Sequence, residues 1–331
     1  MPSPSSPGAF FYSQVIYHPP LPTKKLTGQT VIVTGSNVGL GLEAARHFVR
    51  LDANKVILAV RNLEKGQKAK QSIVSSEKTK ADVVEVWKLD LGDYRSVKEF
   101  TARAQGLERL DIVIENAGIL TTKWSMMEEN ESTITTNVVS QFLHAIPLLP
   151  KMRETAIKFN TLPRLVFTTS FVHWLTKFPE RKEDKIFAAL ADPKKARMGD
   201  RYNVSKLIEI YCVQELAELQ SASQKEGRVI INHVNPGWVV SEVMREWTGL
   251  KQMIFRIVRS LVARPTEVGA RTLVNAAEGG EETHGQYMDD CGVGKRAPLV
   301  ITEEGKAIQK KLWTELSQKL ESIQPGILQN I

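Results

Sequence analysis

Residues 29–51, QTVIVTGSNVGLGLEAARHFVRL, join a short apolar stretch to a helical stretch through a glycine-rich turn. The apolar stretch before the turn is rich in β-branched residues, which is typical of a buried strand. After the turn, apolar residues recur at helical spacing, at Leu42, Ala45, Phe48 and Val49. The stretch therefore predicts a strand, a tight turn and a helix whose N-terminus faces the end of the strand.

The same alternation continues along the chain. Further strands are predicted at NKVILAVRN (54–62), DVVEVWKLDL (82–91), RLDIVIENAG (109–118), PRLVFTTS (163–170), RVIINHVNPG (228–237) and HGQYMDD (284–290). Helical stretches separate them, and the helix after the fourth strand is expected to end near Pro147. Continuous apolar strands separated by helices predict an α/β fold, with one doubly wound parallel sheet of the Rossmann type and helices on both faces.

No linker or repeat interrupts this alternation, so residues 28–331 are assigned to a single dinucleotide-binding and catalytic domain. Residues 1–27 form an extension, rich in proline and serine around a short apolar patch. We expect this extension to be irregular and to pack its aromatic residues on the domain or on a partner. Two substrate-loop insertions, 171–201 and 238–266, break the strand–helix rhythm.

Within the second insertion, residues 249–263 predict an amphipathic helix. Its apolar face comprises Met253, Ile254, Ile257, Val258, Leu261 and Val262, and the opposite face carries Lys251, Arg256 and Arg259. Such a helix could be an ordinary surface helix, or a lid over a hydrophobic substrate at the carboxyl end of the sheet. Its basic face could also contact an anionic membrane surface.

Composition excludes several functional classes. The chain has 44 Lys and Arg residues against 37 Asp and Glu, a net charge of +7, which is too small to predict nucleic-acid binding. Cys212 and Cys291 are too few for a disulfide framework, so we expect reduced thiols and a cytoplasmic protein. The sequence predicts no signal peptide, membrane span or metal site.

Three glycines of the turn TGSNVGLG have distinct expected uses. Gly35 permits the tight turn, Gly39 lets the backbone approach a pyrophosphate, and Gly41 allows the helix to pack closely on the strand. Free N–H groups at the helix N-terminus would bind the phosphates. The turn therefore predicts a dinucleotide cofactor.

The end of the second strand indicates which dinucleotide binds. An acidic residue there would bind the adenine-ribose 2′-hydroxyl, whereas an arginine accommodates a 2′-phosphate. This chain has Arg61 at that position, followed by Lys65. We therefore predict NADP(H), although a solvated surface arginine is the alternative interpretation.

Tyr202 and Lys206 are four residues apart in RYNVSKLIEIYCVQELAEL and share one face of a predicted helix. A tyrosine normally has a pKa of about 10, so it needs a neighbouring cation to transfer a proton near neutral pH. Lys206 would be that cation. This pair, together with the dinucleotide turn, predicts hydride-transfer chemistry.

Several motifs in order now resemble a known family, the short-chain dehydrogenase/reductases, over about Leu26 to Ile323. The motifs are TGSNVGLG at 34–41, LDL at 89–91, ENAG at 115–118, TTN at 135–137, TTS at 168–170, YNVSK at 202–206 and NPGWVVSE at 235–242. Within the family, the chain looks most similar to the retinol-dehydrogenase-like branch, including fungal members that act on secondary metabolites.

The resemblance implies four catalytic residues. Tyr202 would exchange a proton with the substrate oxygen, and Lys206 would lower its pKa and hold the nicotinamide ribose. Ser170 would donate a hydrogen bond to the substrate carbonyl, and Asn137 would position a water molecule in a proton relay.

The resemblance also implies a set of cofactor-binding residues. They are Gly35, Ser36, Asn37, Gly39, Leu40, Gly41, Arg61, Lys65, Asp90, Leu91, Asn116, Ala117, Gly118, Tyr202, Lys206, Pro236, Gly237, Val239 and Ser241. Three positions depart from the usual family pattern: Glu115 replaces the first asparagine of NNAG, Thr169 replaces a serine, and Ser241 replaces a threonine.

Some polar residues near these motifs have two interpretations. His173 and Trp174 follow Ser170 and either line the substrate pocket or pack in the interior. His144 and Cys212 lie in apolar helical stretches and are predicted to be core residues.

The sequence therefore predicts an NADPH-dependent reductase of a ketone or aldehyde on a hydrophobic substrate, such as a polyketide, terpenoid or retinoid-like compound. The alternatives are oxidation of a hydrophobic alcohol and a redox-inactive NADP-binding accessory protein. The intact set of four catalytic residues disfavours the accessory protein. A homo-oligomer is a further possibility that the resemblance allows.

Overall fold

A computed structural model describes residues 7–239 and 262–331. The described strands are β1 (Thr30–Thr34), β2 (Lys55–Val60), β3 (Val84–Lys88), β4 (Ile112–Glu115), β5 (Met126–Met127), β6 (Asn130–Glu131), β7 (Arg164–Thr168), β8 (Ile230–Asn235), β9 (Tyr287–Asp289) and β10 (Gly292–Val293). The described α-helices are α1 (Pro7–Phe11), α2 (Gly39–Arg50), α3 (Leu63–Glu77), α4 (Tyr94–Gln105), α5 (Ser132–Ile134), α6 (Ser140–Phe159), α7 (Ile186–Leu190), α8 (Met198–Ala222), α9 (Thr266–Glu278), α10 (Pro298–Ile301) and α11 (Glu303–Ile323).

Among the described residues, the central sheet has eight strands in the order β10-β9-β8-β7-β4-β1-β2-β3. Every neighbouring pair in it is parallel except β9 and β10, which are antiparallel. The strand order reverses between β1 and β4, and ligands of open α/β sheets bind at such a switch point. The predicted α/β sheet is confirmed, and each predicted strand is present; the short β5–β6 ribbon was not predicted.

Two hydrophobic cores cover the two faces of the sheet. One core includes Phe100 of α4, Phe142 of α6 and Leu207 of α8. The other includes Phe48 of α2 and Leu273 of α9. Strands between two cores must be apolar on both faces, which explains why their sequences lack polar alternation.

Helix α6 corrects one expectation. The sequence predicts that the helix ends near Pro147, but α6 continues through Pro147 and Pro150 to Phe159. A proline in a helix interior removes one backbone hydrogen bond. Here nearly the whole length of α6 up to Leu149 is buried, so packing outweighs that local cost.

The N-terminal extension is more ordered than the sequence predicts. From Pro7 it is helical, first as α1 and then as a π-helical turn over Tyr12–Ile16. Among its aromatic residues, Phe10 packs on the domain, with its ring 5.1 Å from the Phe171 ring, whereas Phe11 and Tyr12 are exposed. The expected irregular conformation was wrong for this part of the extension.

The first insertion, 171–201, holds 3-10 turns at Phe171–Trp174 and Pro179–Lys182, followed by α7. It packs on α11 because the Glu315 carboxylate accepts hydrogen bonds from the N–H groups at the start of α7. In the second insertion, residues 240–261 lie outside the described residues, and with them nearly all of the predicted lid helix. None of the described helices is both long and apolar enough to cross a membrane.

Candidate active site

The glycine turn lies at the carboxyl end of β1, where the strand order reverses. Gly35 has a φ of +66°, and a Cβ there would lie 2.9 Å from the Ala117 Cα atom. Gly39 has a φ of +65° and open space beside it. Helix α2 begins at Gly39, and its N-cap residue Val38 provides no side-chain hydrogen bond to the first turn. The turn is therefore a cradle with free N–H donors at its mouth, as a pyrophosphate requires.

The ENAG segment after β4 packs directly on this turn. Thr34 Oγ1 accepts hydrogen bonds of 2.9 Å from the N–H groups of Asn116 and Ala117. Asn116 Nδ2 donates to the Thr34 carbonyl at 2.9 Å. A Cβ on Gly41 would approach Asn116 Nδ2 to 2.6 Å, so no larger residue fits there without a shift. The Asn116 side chain therefore packs against the glycine turn and leaves no space for a side chain at position 41.

Three cations lie at the carboxyl ends of β2 and β3. Arg61 follows β2 directly and is exposed, and Lys65 lies in the first turn of α3. Lys88, which the sequence analysis did not single out, ends β3, and its Nζ donates to the Arg61 carbonyl at 2.5 Å. The signal available in the sequence was Lys88 itself, a charged residue near the end of the third predicted strand. The arrangement suits a phosphate group more than an uncharged ribose hydroxyl.

The other residues assigned to the cofactor are spread around this edge. Asp90 uses one carboxylate oxygen to accept from the Gly92 N–H at 3.0 Å. Ser36 donates from Oγ to the Val33 carbonyl at 2.7 Å, which fixes the turn. The Leu91 side chain is buried in a hydrophobic core. Asn37 and Leu40 lie in the turn itself and are half-buried.

Tyr202 and Lys206 lie on α8, as predicted, with Lys206 Nζ 5.8 Å from the centre of the Tyr202 ring. Lys206 is only 4% exposed, and its Nζ donates to the Thr168 carbonyl at the end of β7 at 2.9 Å. A Cβ placed on Gly118 would lie 3.8 Å from this Nζ and 3.1 Å from Asn137 Oδ1. The structure therefore brings Tyr202 and Lys206 together with Asn137 and the loop after β4.

Asn137 lies in the π-helical turn Thr135–Val139, which precedes α6. Its Oδ1 accepts from the Ile119 N–H at 2.8 Å, and its Nδ2 donates to the Ile119 carbonyl at 3.0 Å and to Ser205 Oγ at 3.1 Å. Single π-helical turns inside helices are frequent at functional sites. These contacts join the loop after β4 to α8; the predicted water-positioning role of Asn137 stays a prediction.

Ser170 follows β7 in an extended conformation and caps the 3-10 turn that comes next. His173 Nδ1 donates to the Ser170 carbonyl at 2.7 Å, and its Nε2 accepts from the Ala297 N–H at 3.1 Å. Burial lowers the pKa of His173 to about 4, so its ring stays neutral near pH 7. Of the two interpretations of His173, packing is confirmed, and it fixes the backbone of Ser170.

The loop after β8 lies next to the Ser170 loop. Asn235 Oδ1 accepts from the N–H groups of both Phe171 and Gly237, at 3.1 and 3.2 Å. Gly237 has a φ of +79°, and Pro236 and Val239 are buried. The last predicted cofactor residue of this loop, Ser241, lies outside the described residues.

Glu209 is a site residue that the sequence analysis missed. It lies one turn after Lys206 on α8, is fully buried, and places Oε2 2.8 Å from Lys206 Nζ. The available signal was an acidic residue three positions after Lys206 in an otherwise apolar stretch, LIEIYCV. Burial lowers the pKa of Lys206 and Glu209 raises it, with a net upward shift, so the ammonium stays charged.

A second buried pair lies behind Glu209. Glu115, which departs from the family pattern, contacts Nδ1 of His144, and both side chains are fully buried. Gln141 donates from Nε2 to the Ala117 carbonyl at 2.9 Å. Burial, reinforced by the charge of Glu115, raises the pKa of Glu209 to about 7, although Lys206 and Gln141 oppose the shift. His144 is thus a buried core residue, as predicted, and its ring contacts the Glu115 carboxylate.

Several groups act on the pKa of Tyr202. Burial raises this pKa, Lys206 lowers it as expected, and Glu209 raises it, with a net upward shift. The phenol therefore keeps its proton at neutral pH and is poised as a proton donor.

Among the described residues, no group of three or more His, Cys, Asp or Glu side chains could hold a metal ion. The polar groups at this end of the sheet are instead the Ser170 hydroxyl, the Tyr202 phenol and the Lys206 ammonium, on the same edge as the glycine turn. This arrangement can protonate a carbonyl oxygen and stabilise the charge that develops on it.

Comparisons with known proteins show which proteins the chain is similar to. The family model for short chain dehydrogenase matches residues 29–170. A curated fungal relative, Short chain dehydrogenase/reductase dmxR8 from Cryptosporiopsis sp., is 47% identical over 326 residues, which cover 97% of this chain and 99% of that one. The retinol-dehydrogenase-like branch stays a prediction.

Two solved structures share the fold. An uncharacterized protein from Mycobacterium paratuberculosis aligns with a TM-score of 0.66 and 24% identity, covering 90% of this chain and 96% of that one. A short chain dehydrogenase from Shigella flexneri, solved as a complex with NADP, aligns with a TM-score of 0.56 and 22% identity, covering 81% and 99% of the two chains.

Glu209→Gln tests the buried pair. Because Glu209 raises the pKa of both Lys206 and Tyr202, its neutralisation should lower both. The pH above which carbonyl reduction declines should therefore move to a lower value than in the wild type. The measurement is kcat/KM for reduction between pH 6 and 10.

Glu215→Gln is the matched control for this prediction. Glu215 lies on the same helix and also holds an ion pair, with Lys310 Nζ at 2.7 Å, but this pair involves none of the site residues. Its variant should keep the alkaline limit of the wild type. An unshifted limit in folded Glu209→Gln would contradict the role assigned to Glu209.

Proposed function

The chain belongs to the short-chain dehydrogenase/reductase family, and we propose that it is an NADP(H)-dependent member that reduces a ketone or aldehyde of a hydrophobic substrate to an alcohol. The observation that carries this proposal is the position of Lys206. Its buried ammonium contacts the end of β7, adjoins the Tyr202 ring and borders the loop after β4. It thus joins the proton donor to the dinucleotide cradle.

Residues of the chain fit two parts of the cofactor, its pyrophosphate and its nicotinamide ribose. The free N–H groups at the start of α2 would hold the pyrophosphate, and the Lys206 ammonium, which lies beside the Gly118 backbone, would hold the nicotinamide ribose. When bound, NADPH supplies the hydride that reduces the carbonyl carbon. The protein must then supply one proton to the substrate oxygen and stabilise the charge on it.

Tyr202 and Ser170 provide these two functions. Tyr202 donates its phenolic proton to the substrate oxygen, and Ser170 Oγ donates a hydrogen bond to the same oxygen. A positioned general acid contributes a factor of roughly 10²–10⁴ to the rate. Lys206, kept charged by Glu209, stabilises the tyrosinate that remains, because an ammonium close to a phenolate favours the charged form.

We take reduction of a ketone or aldehyde as the favoured direction because the proposed NADP preference and the reduced intracellular setting expected from the sequence favour it. Reduction uses the protonated phenol of Tyr202, and the raised pKa of Tyr202 is compatible with this use. Oxidation of a hydrophobic alcohol would use the same residues in reverse.

Two features support the choice of cofactor and substrate. Arg61, Lys65 and Lys88 place three cations where a 2′-phosphate would lie, and no acidic residue ends β2. The solved Shigella relative binds NADP, which is compatible with this choice. A hydrophobic substrate, such as a secondary metabolite of the polyketide or terpenoid type, is compatible with the exposed apolar side chain of Leu175, five residues after Ser170 in the sequence.

Tyr202→Phe tests the chemistry. The change removes one hydroxyl and should leave the fold and NADPH affinity intact while kcat for carbonyl reduction falls by roughly 10³. Stopped-flow loss of NADPH absorbance measures kcat, and calorimetric titration measures NADPH binding. Turnover within about threefold of the wild type would show that Tyr202 is not the proton donor.

Arg61→Ala tests the cofactor. Loss of the guanidinium should weaken NADPH binding by about tenfold or more, because a charged, bidentate contact to phosphate is lost, and should leave NADH binding nearly unchanged. Lys70→Ala, further along α3, is the matched control and should affect neither cofactor. Equal affinity of the wild type for NADH and NADPH in calorimetric titration would defeat the NADP assignment.

A further inference from the structure

The N-terminal helical segment, 7–16, has an unusual pattern of burial. Its polar residues Ser13 and Gln14 are only 6% and 5% exposed, whereas Phe11 and Ile16 are 51% and 56% exposed. A segment that merely covered a hydrophobic patch would bury its apolar side chains instead. This segment is therefore held on the domain by hydrogen bonds, which fix its position more strictly than apolar contact does.

Those hydrogen bonds lead to the loop after β8. Gln14 Oε1 accepts from the Trp238 N–H at 2.9 Å. The buried Arg264 guanidinium donates to Ser13 Oγ at 3.1 Å and to the Pro236 carbonyl at 3.5 Å, and it also pairs with Asp290. The segment is thus attached to the same loop that contributes predicted cofactor residues.

This attachment places Phe10 against the loops that follow β7 and β8. Its ring lies 5.1 Å from the Phe171 ring and 6.4 Å from the Trp238 ring, centre to centre, and both pairs are tilted. Phe171 directly follows Ser170, and Asn235 ties the backbone of Phe171 to that of Gly237. The three rings therefore flank the ends of the two neighbouring strands β7 and β8.

We infer that Phe10, Phe171 and Trp238 form an aromatic wall of the substrate site, and that this wall selects carbonyl compounds with a flat ring system over acyclic ones. The inference rests on the proposed function, since it assigns the substrate class of that same site. All three rings are half-buried, so each keeps surface for a ligand. A flat ring gains both buried area and favourable ring–ring geometry against such a wall, while a flexible chain loses conformational freedom there.

The test compares two methyl ketones with equal carbon number, 2-acetylnaphthalene and 2-dodecanone. The wild type should prefer the naphthyl ketone in kcat/KM, and Phe10→Ala should reduce that preference by about tenfold. Phe10→Leu keeps apolar bulk but loses the flat ring, so it should give an intermediate preference. NADPH affinity should stay within about twofold of the wild type, because Phe10 has no place in the phosphate cradle.

Phe11→Ala is the matched control. Phe11 adjoins Phe10 in sequence, but its side chain is mainly exposed to solvent. Its variant should keep the wild-type preference between the two ketones. A loss of preference equal to that of Phe10→Ala would overturn the aromatic wall, and so would the absence of any preference in the wild type.

Binding separates this inference from the proposed function. Calorimetric titration of each ketone into the complex of the protein with NADP⁺, which carries no hydride to transfer, reports the wall without any turnover. If the wild type reduces neither ketone, the proposed reductase function fails for these compounds, yet a binding preference that Phe10→Ala removes still supports the wall. Equal binding of the naphthyl ketone by folded wild type and Phe10→Ala would overturn it.

Discussion

The buried positive charge of Lys206 is the constraint on which the arrangement of β7, α8 and the candidate site depends. An ammonium removed from water is very unfavourable unless charge and hydrogen bonds compensate it. Here the Thr168 carbonyl and the Glu209 carboxylate do so, at 2.9 and 2.8 Å. Because these partners belong to β7 and α8, their bonds to Lys206 fix the distance between the end of β7 and helix α8. Tyr202, one turn before Lys206, is thereby placed at the end of the sheet.

The compensation extends further into the interior. Glu209 is close enough to Glu115 for the two charges to interact, and Glu115 contacts His144 on α6. Two carboxylates, an ammonium and an imidazole thus share one region that excludes water. The charge of Glu115 adds to the effect of burial, and together they raise the pKa of Glu209 to about 7. The Glu115 that departs from the family pattern is therefore part of the electrostatic surroundings of Lys206.

The sheet and much of the site could be predicted from the sequence. Strands of a parallel sheet are continuous apolar segments. Gly35 and Gly39 indicate a turn with positive φ angles, a conformation that residues with side chains avoid. Other features were missed or misjudged because they depend on distant partners. Helix α6 passes through Pro147 since the surrounding core holds it, and the N-terminal segment is ordered because Arg264 and Trp238 bind it.

The sequence by itself determined the order of strands and helices, the phosphate cradle and the spacing of Tyr202 and Lys206, because each is a local pattern of residue size, polarity and backbone freedom. Only the tertiary structure decided the pKa of Tyr202, the pairing of Glu209 with Lys206 and the contact of Phe10 with Phe171. Burial and through-space charge depend on which segments meet in three dimensions. Residues that are far apart in sequence, such as Phe10 and Phe171, carry no local sign of their contact.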